Sequence, residues 1–181
     1  WGKLEQLLAE TRSRFATEAW YYRTLHDMWK TRNNRAKARE ALEMALDAAS
    51  GRNLPRIVHD AIRSLLDYEA YDRVLELADT YAEDGRFGPW LDAYKAEALL
   101  GNRQTREGEA LYREILSKSL GGSRSQVLGS MHTAYGPQQT IRKLREWIAE
   151  TALSDSFEAH LLLGQSLLAA KEFGQAVEVL E

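Results

Sequence analysis

Two short segments of this chain carry the same basic and histidine side chains at the same spacing. Residues 23–30 are Arg-Thr-Leu-His-Asp-Met-Trp-Lys, and residues 56–63 are Arg-Ile-Val-His-Asp-Ala-Ile-Arg, in the same order. Helical residues three or four positions apart share a face, so each segment would present two cations and a histidine together. Guanidinium and ammonium groups arranged in this way are suited to binding a carboxylate or a phosphate.

The anion-binding hypothesis has a simpler competitor. Both segments would also arise from a repeat duplication that leaves the charges solvated on an exposed face, with Asp27 and Asp60 neutralising the cations beside them. Both interpretations stay open at this point. The candidate residues are Arg23, His26, Lys30, Arg56, His59 and Arg63.

The two His-Asp pairs also suggest metal chemistry. They resemble the pairs of all-helical metal-dependent phosphohydrolases, which place a His, a His-Asp pair and a distant Asp around one or two metals. Adjacent side chains on a helix point about 100° apart, however, and the duplication already accounts for both copies. The sequence has no H-E-x-x-H, G-x-S-x-G or P-loop spacing. We therefore expect a protein that is not an enzyme and needs no metal or cofactor.

Composition narrows the remaining classes. The 181 residues include no cysteine, which excludes disulfides, thiolate metal sites and a cysteine nucleophile. A net charge of −3 gives no general attraction to nucleic acid, and no apolar run is long enough for membrane insertion. Cytoplasm and periplasm are equally compatible. Because the sequence begins at Trp1 without methionine and stops inside a helical pattern, we expect a fragment of a longer protein.

Helical periodicity runs almost throughout, with turn residues between the apolar stripes. One stripe includes Ala38, Ala41 and Leu42, and another, in the second half, runs from Ile141 to Ala152. Glycine, proline and asparagine clusters interrupt the pattern, and they predict about ten helices of roughly 11–16 residues joined by short turns. Pro55 and Pro89 suit a first helical turn. Asp155 would cap the helix that carries Phe157 to Ala170. The clusters lie at 32–34, 53–55, 85–89, 101–102, 121–122 and 136–137.

The helix-breaking clusters recur about every 34 residues, as the prolines at 55 and 89 illustrate. The segment from Phe157 contains Leu163-Gly164, Leu167, Phe173 and Ala176, and this resembles the pattern of the tetratricopeptide repeat. Small residues at the eighth and twentieth positions of that repeat allow its two helices to approach closely. Gly108, Tyr112 and Ile115 continue the pattern in the unit from Pro89. Near Ser123 the match improves if the frame slips by one residue, which makes Leu128-Gly129 the matching pair.

The resemblance implies an all-α, right-handed superhelical solenoid of antiparallel helix-turn-helix repeats forming a single domain. It also implies that the second, fifth and ninth residues of each first helix line an inner groove. The candidate residues above would lie there, with Trp90 further along. The expected units are 1–20 (partial), 21–54, 55–88, 89–122, 123–156 and 157–181 (partial).

The expected function is that of a scaffold or interaction module, which binds a protein or peptide partner in this groove. An acidic segment of the partner would meet the basic N-terminal half, and open repeat ends would allow self-association. A pentatricopeptide reader of RNA has a similar period but needs a basic groove along its length. HEAT-type units are longer. The helical metal phosphohydrolase is the enzymatic alternative.

Overall fold

The computed structural model describes residues 2–150 and 153–180, and that portion is helical without any strand. The all-α prediction is therefore confirmed. Ala152, the last residue of one predicted apolar stripe, lies outside the described residues. The helices are α1 (Gly2–Phe15), α2 (Ala19–Thr31), α3 (Arg35–Asp47), α4 (Leu54–Asp67), α5 (Tyr71–Tyr81), α6 (Pro89–Gly101), α7 (Thr105–Leu116), α8 (Arg124–Tyr135), α9 (Pro137–Ala149), α10 (Phe157–Ala169) and α11 (Phe173–Leu180).

Among the described residues, seven connections between α-helices contain a residue with positive φ, and two of these residues, Gly51 and Gly121, lie in the short 3-10 turns before α4 and α8. Four of the seven residues are not glycine: Asn33, Glu69, Arg103 and Lys171, with φ between 54° and 64°. Gly136, between α8 and α9, also has a positive φ of 79°, but its ψ of 157° lies outside the left-handed helical conformation. A single left-handed residue after a helix ends the helix and reverses the chain. This helix ending therefore recurs at residues 33, 69, 103 and 171, which are separated by about 34 residues or by about twice that number.

Other helix ends follow local chemistry. Short 3-10 turns at Gly51–Asn53 and Gly121–Ser123 precede α4 and α8. Pro55 and Pro89 lie in the first turns of α4 and α6, as predicted. The cap of α10 is Ser156 rather than the predicted Asp155, because the Ser156 hydroxyl accepts the Ala159 N–H at 3.2 Å.

The chain divides into two compact units, residues 1–68 and 69–181, and the division falls inside the repeat predicted for 55–88. In unit 1, α3 packs against both α2 and α4. The Tyr21 hydroxyl donates to the Leu8 carbonyl at 2.6 Å and so attaches α1 to α2. The core of this unit includes Tyr21, Ala38, Val58, Ile62 and Leu65, each of which is almost fully buried.

In unit 2, α6 packs against α5, α7 and α8, and α10 packs against α8, α9 and α11. A continuous apolar core runs from Ala93 to Ala176 and includes Tyr112 and Trp147. Ile141 is buried whereas Arg142 and Glu146 are exposed, which agrees with the one-residue slip of the repeat frame. The superhelix and the single repeat domain stay predictions.

Candidate functional site

The candidate site is a cavity of about 240 Å³ in unit 1, bordered by α2, α3 and α4. Its floor consists of the apolar side chains of Leu42, Ala45 and Ile57 together with the hydroxyl-bearing Ser64, and all four residues are buried. Charged side chains of α2 and α4 form its rim. The residues at the rim are Arg23, His26, Asp27, Lys30, Asp60, Arg63 and Asp67.

Two of the predicted cations are held by carboxylates of α4. Arg23 forms an ion pair with Asp60 at 2.9 Å, and each side chain is about one third exposed. The Lys30 ammonium donates to the Asp67 carboxylate at 2.9 Å. This hydrogen bond raises the pKa of Lys30 above its ordinary value. These cations therefore hold α2 and α4 side by side and are less available to an external anion.

His26 lies at the cavity but is only 4% exposed. Its Nδ1 lies 3.0 Å from the Asp27 carboxylate, and its Nε2 lies 3.3 Å from the Tyr68 hydroxyl. Since a carboxylate only accepts, Nδ1 donates to Asp27, and Nε2 is in hydrogen-bond contact with the tyrosine hydroxyl. Both ring nitrogens are thus occupied, so His26 positions its neighbours instead of offering a donor to the cavity.

The remaining basic residues of α4 differ in position. Arg63 is exposed at the rim of the cavity, and it forms no ion pair with any described residue. Arg56 is also exposed and lacks an ion pair within the described portion, but it does not line the cavity. His59 does not line it either, and its Nδ1 lies 3.5 Å from the Asp60 carboxylate. The structure therefore gathers four of the six predicted residues at this cavity.

Trp90 belongs to unit 2, where it is partly buried among other aromatic rings. Its ring centroid lies 5.7 Å from that of Phe87 and 5.8 Å from that of Tyr94. Phe87 in turn stacks on Tyr81 at 4.7 Å. These contacts explain the position of Trp90 through packing within α6 and the segment before it.

The His-Asp pairs have a structural explanation in this fold. In both pairs the imidazole Nδ1 approaches the next residue's carboxylate, although adjacent helical side chains were expected to diverge. Rotation about the side-chain bonds is enough to close that gap. Among the residues that the structure describes, no group of three or more His, Cys, Asp or Glu side chains converges as a metal site.

Three important residues were not singled out from the sequence. Asp60 was considered only as a neutralising neighbour, and Asp67 and Tyr68 were not considered at all. The signal was nevertheless present, because Asp60, Arg63 and Asp67 are spaced three and four apart and share one face of α4. The cavity lining has as many carboxylates as cations. The carboxylates are Asp27, Asp60 and Asp67, and the cations are Arg23, Lys30 and Arg63.

No helix among the described residues is both long and apolar enough to cross a membrane. Comparison with known proteins finds no matching family model, no matching curated protein and no matching solved structure.

Proposed function

We propose that this chain is a helical-hairpin repeat module of the tetratricopeptide kind and that it acts in protein–protein recognition. Recurrence of a non-glycine turn residue with positive φ at 33, 69, 103 and 171, with Gly136 also at positive φ, supports the repeat. Close helix contact at two small residues, Gly108 and Gly164, supports it too, whereas Gly129 of the unit near Ser123 meets nothing within 4 Å. A Cβ added at Gly108 would lie 3.0 Å from the Ala96 carbonyl oxygen, and one at Gly164 would lie 2.6 Å from the Leu180 side chain.

The observation that carries the proposed function is the cavity between α2 and α4. A buried, largely apolar floor surrounded by a charged rim is the arrangement by which protein interfaces combine apolar contact with polar specificity. The cavity is large enough for one or two side chains of a partner. In the proposed mode, an apolar side chain of a bound peptide contacts Leu42, Ala45 and Ile57.

Arg63 gives the interaction its polar component. Arg23 and Lys30 already bind carboxylates of the chain itself, whereas Arg63 has no such partner among the described residues. An acidic group beside the apolar side chain of the partner would form an ion pair with Arg63. Recognition of this kind requires neither catalysis nor a cofactor, and it suits a scaffold protein.

The test compares two arginines of the same helix. Random dodecapeptides displayed on phage are selected on the wild-type protein, and the dissociation constants of recovered peptides are measured by calorimetry. We expect Arg63→Glu to weaken binding by about tenfold or more, since ~1.4 kcal/mol corresponds to one decade. Arg56→Glu is the matched control, because it makes the same charge change on an exposed residue outside the cavity. We expect its affinity to change by less than about threefold.

Added salt provides a second measurement on the same peptides. Affinity for the wild type should fall as ionic strength rises, because exposed ion pairs are screened beyond about 8–10 Å. Failure to enrich any peptide would contradict the proposed function. Equal peptide affinity of the Arg63→Glu and Arg56→Glu variants would show that the cavity is not the peptide-binding site.

A further inference from the structure

A second cavity lies on the opposite side of α2, and it shares no lining residue with the candidate functional site. This cavity, here called the aromatic cavity, has a volume of about 380 Å³ and is bordered by α1, α2 and α3. Its size falls within the range of about 300–1,000 Å³ typical of small-molecule sites. The side chains that define it are Tyr21, Tyr22, Met28, Trp29 and Met44.

The lining of the aromatic cavity is largely apolar, and its tyrosine rings are held in fixed positions. Tyr21 and Tyr22 stand edge to face, with ring centroids 5.2 Å apart. Their hydroxyls point away to the carbonyls of Leu8 and Ala16, at 2.6 and 2.9 Å. The rings are therefore fixed, and because both residues are buried, only a small part of each borders the cavity. Met28 and Met44 add flexible thioether side chains, which adapt to the outline of a bound ring.

The charges around the aromatic cavity do not cancel. Glu5 is already paired with Arg32 at 2.5 Å. Arg12 and Glu40 border the cavity and form no ion pair with another described residue. The Lys37 ammonium lies 4.2 Å from the centroid of the Trp29 ring. Two cations thus remain against one carboxylate, which favours a ligand with a single negative charge.

We propose that the aromatic cavity binds a small aromatic acid. The aromatic ring of the ligand lies beside Trp29 and Met44, with Met28 behind them, and its acidic group lies near Arg12 and near the Lys37 ammonium that covers the Trp29 ring. This site is separate from the peptide-binding function proposed above, so either can fail without the other.

The three methionines of the chain allow a direct test by NMR with ¹³C-methyl labelling. Met28 and Met44 line the aromatic cavity, whereas Met131 is fully buried in the core of unit 2 and serves as an internal control. The probe is 1-naphthylacetate, compared with its neutral amide. We expect saturable shifts of the first two methyl signals alone, and about threefold tighter binding of the acid, the size of one exposed charge contact.

Two variants, each of which replaces an exposed alanine with phenylalanine, test whether the probe binds in the aromatic cavity or elsewhere on the surface. Ala9 borders the aromatic cavity and is exposed, so Ala9→Phe fills the space without disturbing the core. This variant should weaken binding by about tenfold or more. Ala36→Phe is the matched control on exposed α3 surface and should bind as the wild type does.

The double variant Arg12→Gln with Lys37→Gln should make the acid and the amide bind equally. Several outcomes would overturn the proposal. These are shifts of Met131 together with the other methionines, absence of saturation at millimolar probe, and unchanged binding by Ala9→Phe. Equal affinity of the acid and the amide for the wild type would overturn the acidic class of ligand.

Discussion

The Glu158 carboxylate is nearly buried and accepts three hydrogen bonds. Arg124 donates from Nε at 2.6 Å and from Nη2 at 2.8 Å, and the Leu120 backbone N–H donates at 3.1 Å. Only 7% of the Glu158 side chain is exposed. The hydrogen bonds from Arg124 lower the pKa of Glu158, and the backbone bond adds to this. A single carboxylate thus ties the first residue of α8 and the segment before it to the first turn of α10.

Replacing Glu158 with Gln should lower the free energy of unfolding at neutral pH by about 1.5–3 kcal/mol, the range for hydrogen bonds to charged groups. Because the folded pKa is lowered, this stabilisation is present above the ordinary value of 4.5. It is lost as the pH falls through the folded value. Urea denaturation at neutral and acidic pH measures both effects, and the variant should lose less stability on acidification than the wild type.

Glu114→Gln is the control for this measurement. Glu114 pairs with Lys118 on the surface of α7, and about 60% of each side chain is exposed. Exposed pairs of this type contribute about 0.3–0.5 kcal/mol. Equal losses in the two variants would show that burial does not strengthen the Glu158 interactions.

At the scale of elements, the left-handed turns repeat in detail. The backbone N–H donates to the carbonyl five residues earlier at three turns, from Asn34 to Trp29, from Gln104 to Leu99 and from Glu172 to Leu167. These bonds measure 2.8–2.9 Å. They are the long-range bonds of a Schellman motif, which satisfies carbonyls at a helix end. Three helices of different sequence therefore end in the same way.

Arg103→Gly should raise the free energy of unfolding by about 1 kcal/mol, because glycine adopts positive φ without the steric cost that a side chain incurs. Arg142→Gly makes the same change at an exposed position within α9 and should lower it by about 1 kcal/mol. Thermal and urea denaturation of both variants compares them. A loss of stability at position 103 would contradict the turn geometry.

Helix contact within a hairpin is tested at Gly108. An alanine there places its Cβ 2.9 Å from Leu100 Cγ and 3.0 Å from the Ala96 carbonyl oxygen. Gly129→Ala in α8 meets nothing within 4 Å, so it gains helix propensity without a clash. The gain is common to both variants, and the difference between them should be about 1–3 kcal/mol in free energy of unfolding. Equal effects would show that α6 and α7 separate readily.

At the scale of the molecule, each compact unit has its own apolar interior. The core of unit 2 extends from Ala93 to Ala176 within residues 69–181. We expect a fragment of residues 69–181 to fold alone, since a domain with its own core keeps its main source of stability. Circular dichroism should show a helical spectrum and a cooperative thermal transition. A helical signal that decays gradually with temperature would contradict this expectation.

Helix boundaries set by the backbone geometry of a single residue could be predicted from the sequence, whereas features set by distant contacts could not. Pro55, Pro89 and the glycine-containing breaks mark helix boundaries through their own backbone geometry, and these predictions were confirmed. The turns at Glu69 and Lys171 carry no such mark, because neither residue favours positive φ. The pattern of breaks in the sequence therefore did not include them.

The candidate site shows the same division. The two octapeptides predicted one shared groove for six residues, and the structure places Arg23, His26, Lys30 and Arg63 of these at one cavity. Helical spacing accounts for the three residues of α2, which share a face. Spacing did not indicate that Arg23 and Lys30 bind carboxylates 37 residues away, nor that His26 is buried. Spacing also did not indicate that Arg63 lines the cavity whereas Arg56 does not.

The sequence by itself determined that the chain is helical, where most helices begin and end, and which charges share a face. Those properties depend on neighbours within a few residues. Only the tertiary structure decided which charges are neutralised and which one remains available beside a largely apolar floor. It also revealed the aromatic cavity, whose lining comes from three helices. Such features arise when α2 meets α1, α3 and α4, and contact between distant segments is set by the packing of the whole unit.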